Sequence, residues 1–169
     1  CSTMALSLAS AALWVDGGLA DTAVASTSSH FCSAEKQFRM PLEYGGQRTP
    51  TAQWTATAAG ATVISKGRPI VESGKGTAVI EKIIIGRICD YGIKDANNMG
   101  VAMAPAAFQT IRSHFDDLSC GPEMFDLIVT GDLGHVGKEA LLALARNKGI
   151  SLGGKLEDCG TMIFDREKQ

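Results

Sequence analysis

The sequence has no CxxC pair, no Asn-x-Ser/Thr acceptor, no apolar run of membrane-spanning length and no excess of positive charge. Its cysteines, Cys1, Cys32, Cys89, Cys120 and Cys159, are odd in number and widely spaced. That pattern argues against a disulfide framework or a structural zinc site, and for a reducing compartment. The longest apolar run, Met4 to Val15, is broken by Ser7 and Ser10, whereas a spanning helix needs about 20 apolar residues. No charged segment precedes that run, so it does not read as a signal peptide. Lys and Arg total 16 against 18 Asp and Glu, which leaves no basic surplus to neutralise phosphates, and nucleic acid is not an expected partner. Aromatic residues are scarce, at 6%.

What is present suits a globular domain. Of 169 residues, 45% are hydrophobic and 20% charged, enough to bury a core and too apolar for disorder. The chain opens on Cys1 and not on methionine, so a processed terminus or a piece of a longer protein is expected.

Residues 2–15 are rich in Ala and Leu on nearly every face and stop at Asp16-Gly17-Gly18, the pattern of a buried helix ended by glycine. Residues 21–29 read as a short strand ending in Ser28-Ser29-His30, and 31–58 as a long functional loop with Pro41, Gly45, Gly46 and Pro50. Residues 59–65 form another strand and 66–77 a surface connection. Val79 to Asp90 is expected to be a long strand with a buried, Ile-rich centre. A helix is predicted from Met103 to Phe115, with Pro105 in its first turn and Ala104, Phe108, Ile111 and Phe115 on one face. A short strand over 126–132, an amphipathic helix over 136–148 and a last strand over Thr161–Phe164 follow. Strands alternating with helices predict an α/β layered fold.

Cys1-Ser2-Thr3 opening a helix is the strongest chemical signal. Free amides and the partial positive charge at a helix start stabilise a thiolate, making Cys1 a candidate acyl-accepting nucleophile. The plainer alternative is a small buried residue. An N-terminal cysteine using its own amine is disfavoured, because such nucleophiles sit on strands. His30 ends a strand in a small polar setting and suits a proton donor or ligand contact, or a simple hydrogen-bonded strand end. Asp132 and His135, in Gly131-Asp132-Leu133-Gly134-His135, lie between a strand and a helix, where ligand sites of α/β folds gather. His114 reads as solvated on a polar helix face. Ser73-Gly74-Lys75-Gly76-Thr77 lacks phosphate-loop spacing and reads as a turn. Lys36, Arg39, Glu43 and Arg48 bind an anion or are simply solvated.

Several strings, taken in order, resemble one family. They are Cys1-Ser2-Thr3, Ser28-Ser29-His30, Gln37-Phe38-Arg39-Met40-Pro41-Leu42-Glu43-Tyr44-Gly45-Gly46-Gln47, Ala59 to Ser65, Asp90 to Asp95, Met99 to Ala107, Thr130-Gly131-Asp132-Leu133 and Asp158-Cys159-Gly160. Together they resemble the stage V sporulation protein AD family, thiolase-like proteins of spore-forming Firmicutes. The resemblance implies a layered α-β-α-β-α fold, incomplete in this chain. Residues 1–65 would end the first half, 66–77 connect, and 78–169 begin the second half.

The resemblance also implies a function. Cys1 matches the cysteine that thiolases and ketoacyl synthases acylate. Where ketoacyl synthases read His-x-x-Asn, however, this chain reads Gly131-Asp132-Leu133-Gly134, and an anionic Asp132 disfavours an enolate. The implied role is therefore non-catalytic binding of dipicolinic acid for uptake into the developing spore. Cys1, Ser2, Thr3, His30, Asp132 and His135 are the ligand-binding candidates, with Cys1 the ancestral catalytic position. Calcium carried with the ligand would face Asp132; no resident cofactor or metal is expected. The other implied partners are proteins of the dipicolinate uptake complex and a second copy in a homodimer. The implied location is peripheral, on the cytoplasmic side of the forespore inner membrane. The alternative is an active acyltransferase or condensing enzyme using Cys1.

Overall fold

A computed structural model of the chain describes residues 2–30, 49–53, 55–67, 78–95, 97–163 and 167. Cys1, the loop residues Lys36, Arg39, Glu43 and Arg48, the Ser73–Thr77 turn and Phe164 lie outside the described residues. The fold is mixed α/β, as the alternation of elements predicts, with two two-stranded sheets among the described residues. It divides into two compact units, one of residues 1–30 and 57–85, the other of 31–56 and 86–169. These contact units have other bounds than the segments 1–65, 66–77 and 78–169 that the resemblance implies.

In the first unit, α1 (Ser2–Asp16) packs on β1 (Thr22–Ser28) and β2 (Ala59–Ser65). The strands pair antiparallel from Thr22 opposite Ser65 to Ser28 opposite Ala59. Period-two alternation turns Ala23, Ala25 and Thr27 inward, with Ala25 fully buried, and leaves Val24 on the open face. Small residues face each other: Ala11 and Val15 are the buried positions of α1. The helix begins and ends where the sequence predicts, but it is not buried all round. Leu6, Leu13 and Trp14 remain exposed, with Trp14 at 59%. One helix laid on a two-stranded sheet can cover only one stripe of its circumference.

The second unit is built on a parallel pair. β3 (Ile128–Thr130) leads through α3 (Gly134–Asn147) to β4 (Leu156–Asp158), with Ile128 opposite Leu156. A parallel neighbour requires such a crossover, and α3 supplies it. α2 (Met99–Leu118) packs along α3, placing Phe108, Phe115, Leu133, Leu141, Leu152 and Leu156 in one core. Burying each such side chain stabilises by about 1.5–3 kcal/mol. Ala104, Phe108, Ile111 and Phe115 all face this core, as their spacing predicts. Gly149 ends α3 with φ 75°, and the Ile150 amide donates to the Ala145 carbonyl at 2.9 Å.

Five expectations are corrected. α2 begins at Met99, four residues before the expected start, because Asn98 Oδ1 accepts from the Val101 amide at 3.3 Å. Pro105 therefore lies inside the helix instead of in its first turn and withholds a donor from the Val101 carbonyl. Val79–Asp90 forms no ladder: no strand among the described residues pairs with it, and Ile88 is 99% exposed. The expected final strand from Thr161 is instead α4 (Cys159–Ile163). His114 is half-buried, its ring 5.5 Å from that of Phe125, and not solvated as its helix position suggested.

α2 and α3 touch at glycine. A side-chain carbon on Gly100 would lie 2.6 Å from the Leu133 carbonyl oxygen and 2.9 Å from the Gly137 nitrogen. All of these neighbours are backbone and cannot swing aside. Gly100→Ala is expected to destabilise the intact protein by about 1–3 kcal/mol, as overpacking does; an unchanged urea midpoint would contradict this packing. The exposed Leu6, Leu13, Trp14, Ile85 and Ile88 predict that the isolated 169-residue chain self-associates. Sedimentation velocity should show species larger than a monomer, and one sharp monomer boundary would refute it.

Candidate functional site

The candidate residues fall into two local groups, one in each unit. In the first unit, Ser2 starts α1 and Thr3 lies exposed in its first turn. Thr27 Oγ1 donates to Met4 Sδ at 3.6 Å, and Ser7 Oγ to the Ser26 carbonyl at 3.5 Å. These contacts lay the start of α1 along the end of β1, the segment that runs into Ser28-Ser29-His30. Ser29 closes the open end of the ladder: its amide donates to the Ala58 carbonyl at 2.8 Å, and its Oγ accepts from the Ala58 amide at 3.0 Å. His30 follows directly and is exposed. The start of α1 thus lies along Ser26 and Thr27 of β1, the strand that runs into Ser28-Ser29-His30.

In the second unit, Asp132 and His135 occupy the turn from β3 into α3. Asp132 has φ 37°, a left-handed value rare for a residue with a side chain, and is half-buried. His135 is the second residue of α3, also half-buried.

The centre of this group is a residue to which sequence reading gave no role. Asp158, at the end of β4, is fully buried. Its Oδ2 accepts from Thr130 Oγ1 and from the Leu133 amide, both at 2.8 Å. Its Oδ1 accepts from the Gly134 and Gly160 amides, both at 3.1 Å. A buried carboxylate is tolerated only when so satisfied. Leu133 and Gly134 present the first free amides of α3, which has no cap from its own sequence neighbours. Asp158 caps that helix from 24 residues away and adds negative charge at the positive end of its dipole. The only sequence signal was the Asp-Cys-Gly string, whose partners are too distant to infer.

Asp132 is held beside it. Gln53, itself 6% exposed, donates through its side-chain nitrogen to the Asp132 carbonyl oxygen and, at 3.3 Å, to Asp132 Oδ1. This amide orientation is assigned from its partners. Across from it, a side-chain carbon on Gly160 would collide with Asp132 Oδ1 and lie 3.1 Å from Asp158 Oδ1. Two carboxylates therefore converge on the α-carbon of Gly160. Lys138 Nζ meets Glu157 Oε2 at 2.7 Å nearby on α3 and β4. Among the described residues no group of three or more His, Cys, Asp and Glu is placed to hold a metal ion, and Cys89, Cys120 and Cys159 are free thiols.

Comparison with known proteins supplies the context. The chain matches, over residues 1–169, the family model described as stage V sporulation protein AD (SpoVAD). The stage V sporulation protein AD of Bacillus subtilis (strain 168) is 44% identical over 169 residues, an alignment covering 100% of this chain and 48% of that protein. The chain spans about half the length of the curated relative it matches.

Asp158→Asn in the intact protein replaces one accepting oxygen by an NH2 that faces amide donors. A loss of about 2–3 kcal/mol is expected from the unsatisfied buried groups, read from urea midpoints at unchanged slope. A change under about 0.5 kcal/mol, the range of ordinary surface substitutions, would mean that Asp158 does not anchor α3.

Proposed function

The chain belongs to the stage V sporulation protein AD family, and from that membership we propose that it forms part of a non-catalytic, thiolase-like protein that binds dipicolinic acid for uptake into the developing spore. The protein is a sporulation protein by family. Among the described residues no helix is long and apolar enough to cross a membrane, which is compatible with a peripheral place at the forespore inner membrane beside other uptake proteins.

The observation that carries the non-catalytic reading is the occupied turn after β3. Claisen chemistry needs donors aimed at a developing enolate. At this turn the α3 amides of Leu133 and Gly134 already hold the Asp158 carboxylate, and Asp132 adds a second acidic group. Negative charge developing there would be repelled. The start of α1 is different. Its first turn lies along a strand end lined by Thr27, Ser28, Ser29 and His30, small polar groups suited to a planar dicarboxylate. Amides at a helix start favour one carboxylate, and His30 is a donor for the other or for the ring nitrogen.

Titration of the intact protein with dipicolinate in a calorimeter tests this reading. Saturable heat is expected, with affinity reduced at least about tenfold, or about 1.4 kcal/mol, by His30→Ala or Cys1→Ala at unchanged circular dichroism. No heat from the wild type overturns it. Incubation with acetyl-CoA followed by intact-mass measurement tests the rival: an acetyl adduct on Cys1 that turns over would establish an acyltransferase instead.

A further inference from the structure

The stretch from Val79 to Asp90 forms no ladder, yet its composition is that of a strand. Val79, Ile80, Ile83, Ile84, Ile85 and Ile88 are β-branched, the type of residue that suits a pleated surface. Ile80, Ile85 and Ile88 are exposed, and among the described residues no main-chain hydrogen bond joins residues 79–90 to any other. Glu81 and Arg87 are exposed too, and neither has an ion-pair partner among the described residues. An apolar stretch with open main-chain donors and acceptors is a template for a further strand.

The order of its residues says which strand fits. Laid antiparallel on a second copy of itself with Ile84 at the twofold axis, the stretch sets Ile80 opposite Ile88, Glu81 opposite Arg87 and Ile83 opposite Ile85. Lys82 falls opposite Gly86, so its charge is set against no apolar side chain. Twofold symmetry forms each of these unlike pairs twice. Such cross-strand pairs stabilise a sheet, whereas like charges directly opposite destabilise it. Moving the register one step either way sets Glu81 opposite Ile85 or Cys89, and a parallel in-register pair sets Glu81 on Glu81 and Arg87 on Arg87. Among these arrangements, the one centred on Ile84 alone meets each of the two charges with its opposite.

We propose that residues 80–88 are a self-recognition segment through which two copies of this chain associate, as an antiparallel ladder centred on Ile84. The segment passes from the first compact unit into the second between residues 85 and 86, and the pairing uses its own residues alone. It involves no candidate site residue and is independent of the dipicolinate reading.

Charge reversal in the 169-residue chain tests the proposal, read by sedimentation equilibrium with circular dichroism as the check on folding. Both side chains are exposed, so replacing them leaves the core untouched. Glu81→Arg and Arg87→Glu each set like charges opposite one another twice, and each is expected to weaken the dimer about tenfold. The two shift net charge in opposite directions, so a general charge effect would weaken one dimer and strengthen the other. The double variant Glu81→Arg with Arg87→Glu re-forms both pairs with their signs exchanged. It is expected to return to within about threefold of the wild type, as coupled residues do. A wild type that stays monomeric up to about 100 μM, well above the micromolar range of ordinary association, overturns the proposal. So do single reversals that leave association unchanged, and a double variant as weak as the singles.

Discussion

The fully buried carboxylate of Asp158 has lost its water, so the chain must supply its hydrogen bonds, and Thr130, Leu133, Gly134 and Gly160 do so. Because these donors come from the end of β3, the start of α3 and the start of α4, satisfying one side chain fixes where three elements meet. The rest of the second unit follows from that point. The Leu133 carbonyl is set against Gly100, so α2 approaches α3 closely only because Gly100 and Gly137 lack side chains. Leu133, Leu141 and Leu156 are then directed into the core beside Phe108 and Phe115. Gly160 completes the arrangement by leaving space for Asp132.

This constraint has a chemical consequence. A helix start is a natural place for an anion or an oxyanion, but a helix has few free amides to offer. In α3, Asp158 uses two of them from inside the protein. The turn from β3 into α3 thus carries one acid of its own, Asp132, and receives a second from β4, Asp158, whose carboxylate holds the start of α3. α1 begins differently, on serine and threonine, beside a strand end of small hydroxylated residues.

The two units also differ in how fully they bury their apolar residues. In the second, two helices and a parallel pair enclose Leu141 and Leu152 completely. In the first, one helix rests on two strands, and Leu6, Leu13, Val24 and Val63 stay exposed. Ile85 and Ile88 are exposed as well, on a stretch with neither helix nor strand. Residues this apolar are costly to leave in water.

By itself the sequence determined the elements whose signals are local. α1 is legible from its Ala/Leu run and terminal glycines, β1 and β2 from their β-branched and small residues, α2 from Ala104, Phe108, Ile111 and Phe115, and α3 from Leu141, Leu144, Ala145 and Gly149. It also determined the family and placed Asp132 and His135 on the turn into α3. Only the tertiary structure decided the rest. The strand expected at Val79–Asp90 needs a partner to exist at all, and local β propensity cannot supply one. The strand expected at Thr161 became α4 because Asp158 bonds the Gly160 amide and Thr161 Oγ1 donates to the Asp158 carbonyl. The roles of Asp158 and Gln53 were not legible because Thr130, Leu133 and Gly134 lie 24 or more residues from Asp158, and Asp132 is likewise distant in the chain from Gln53. A buried polar group is recognised by what surrounds it in space, and distance along the chain conceals that.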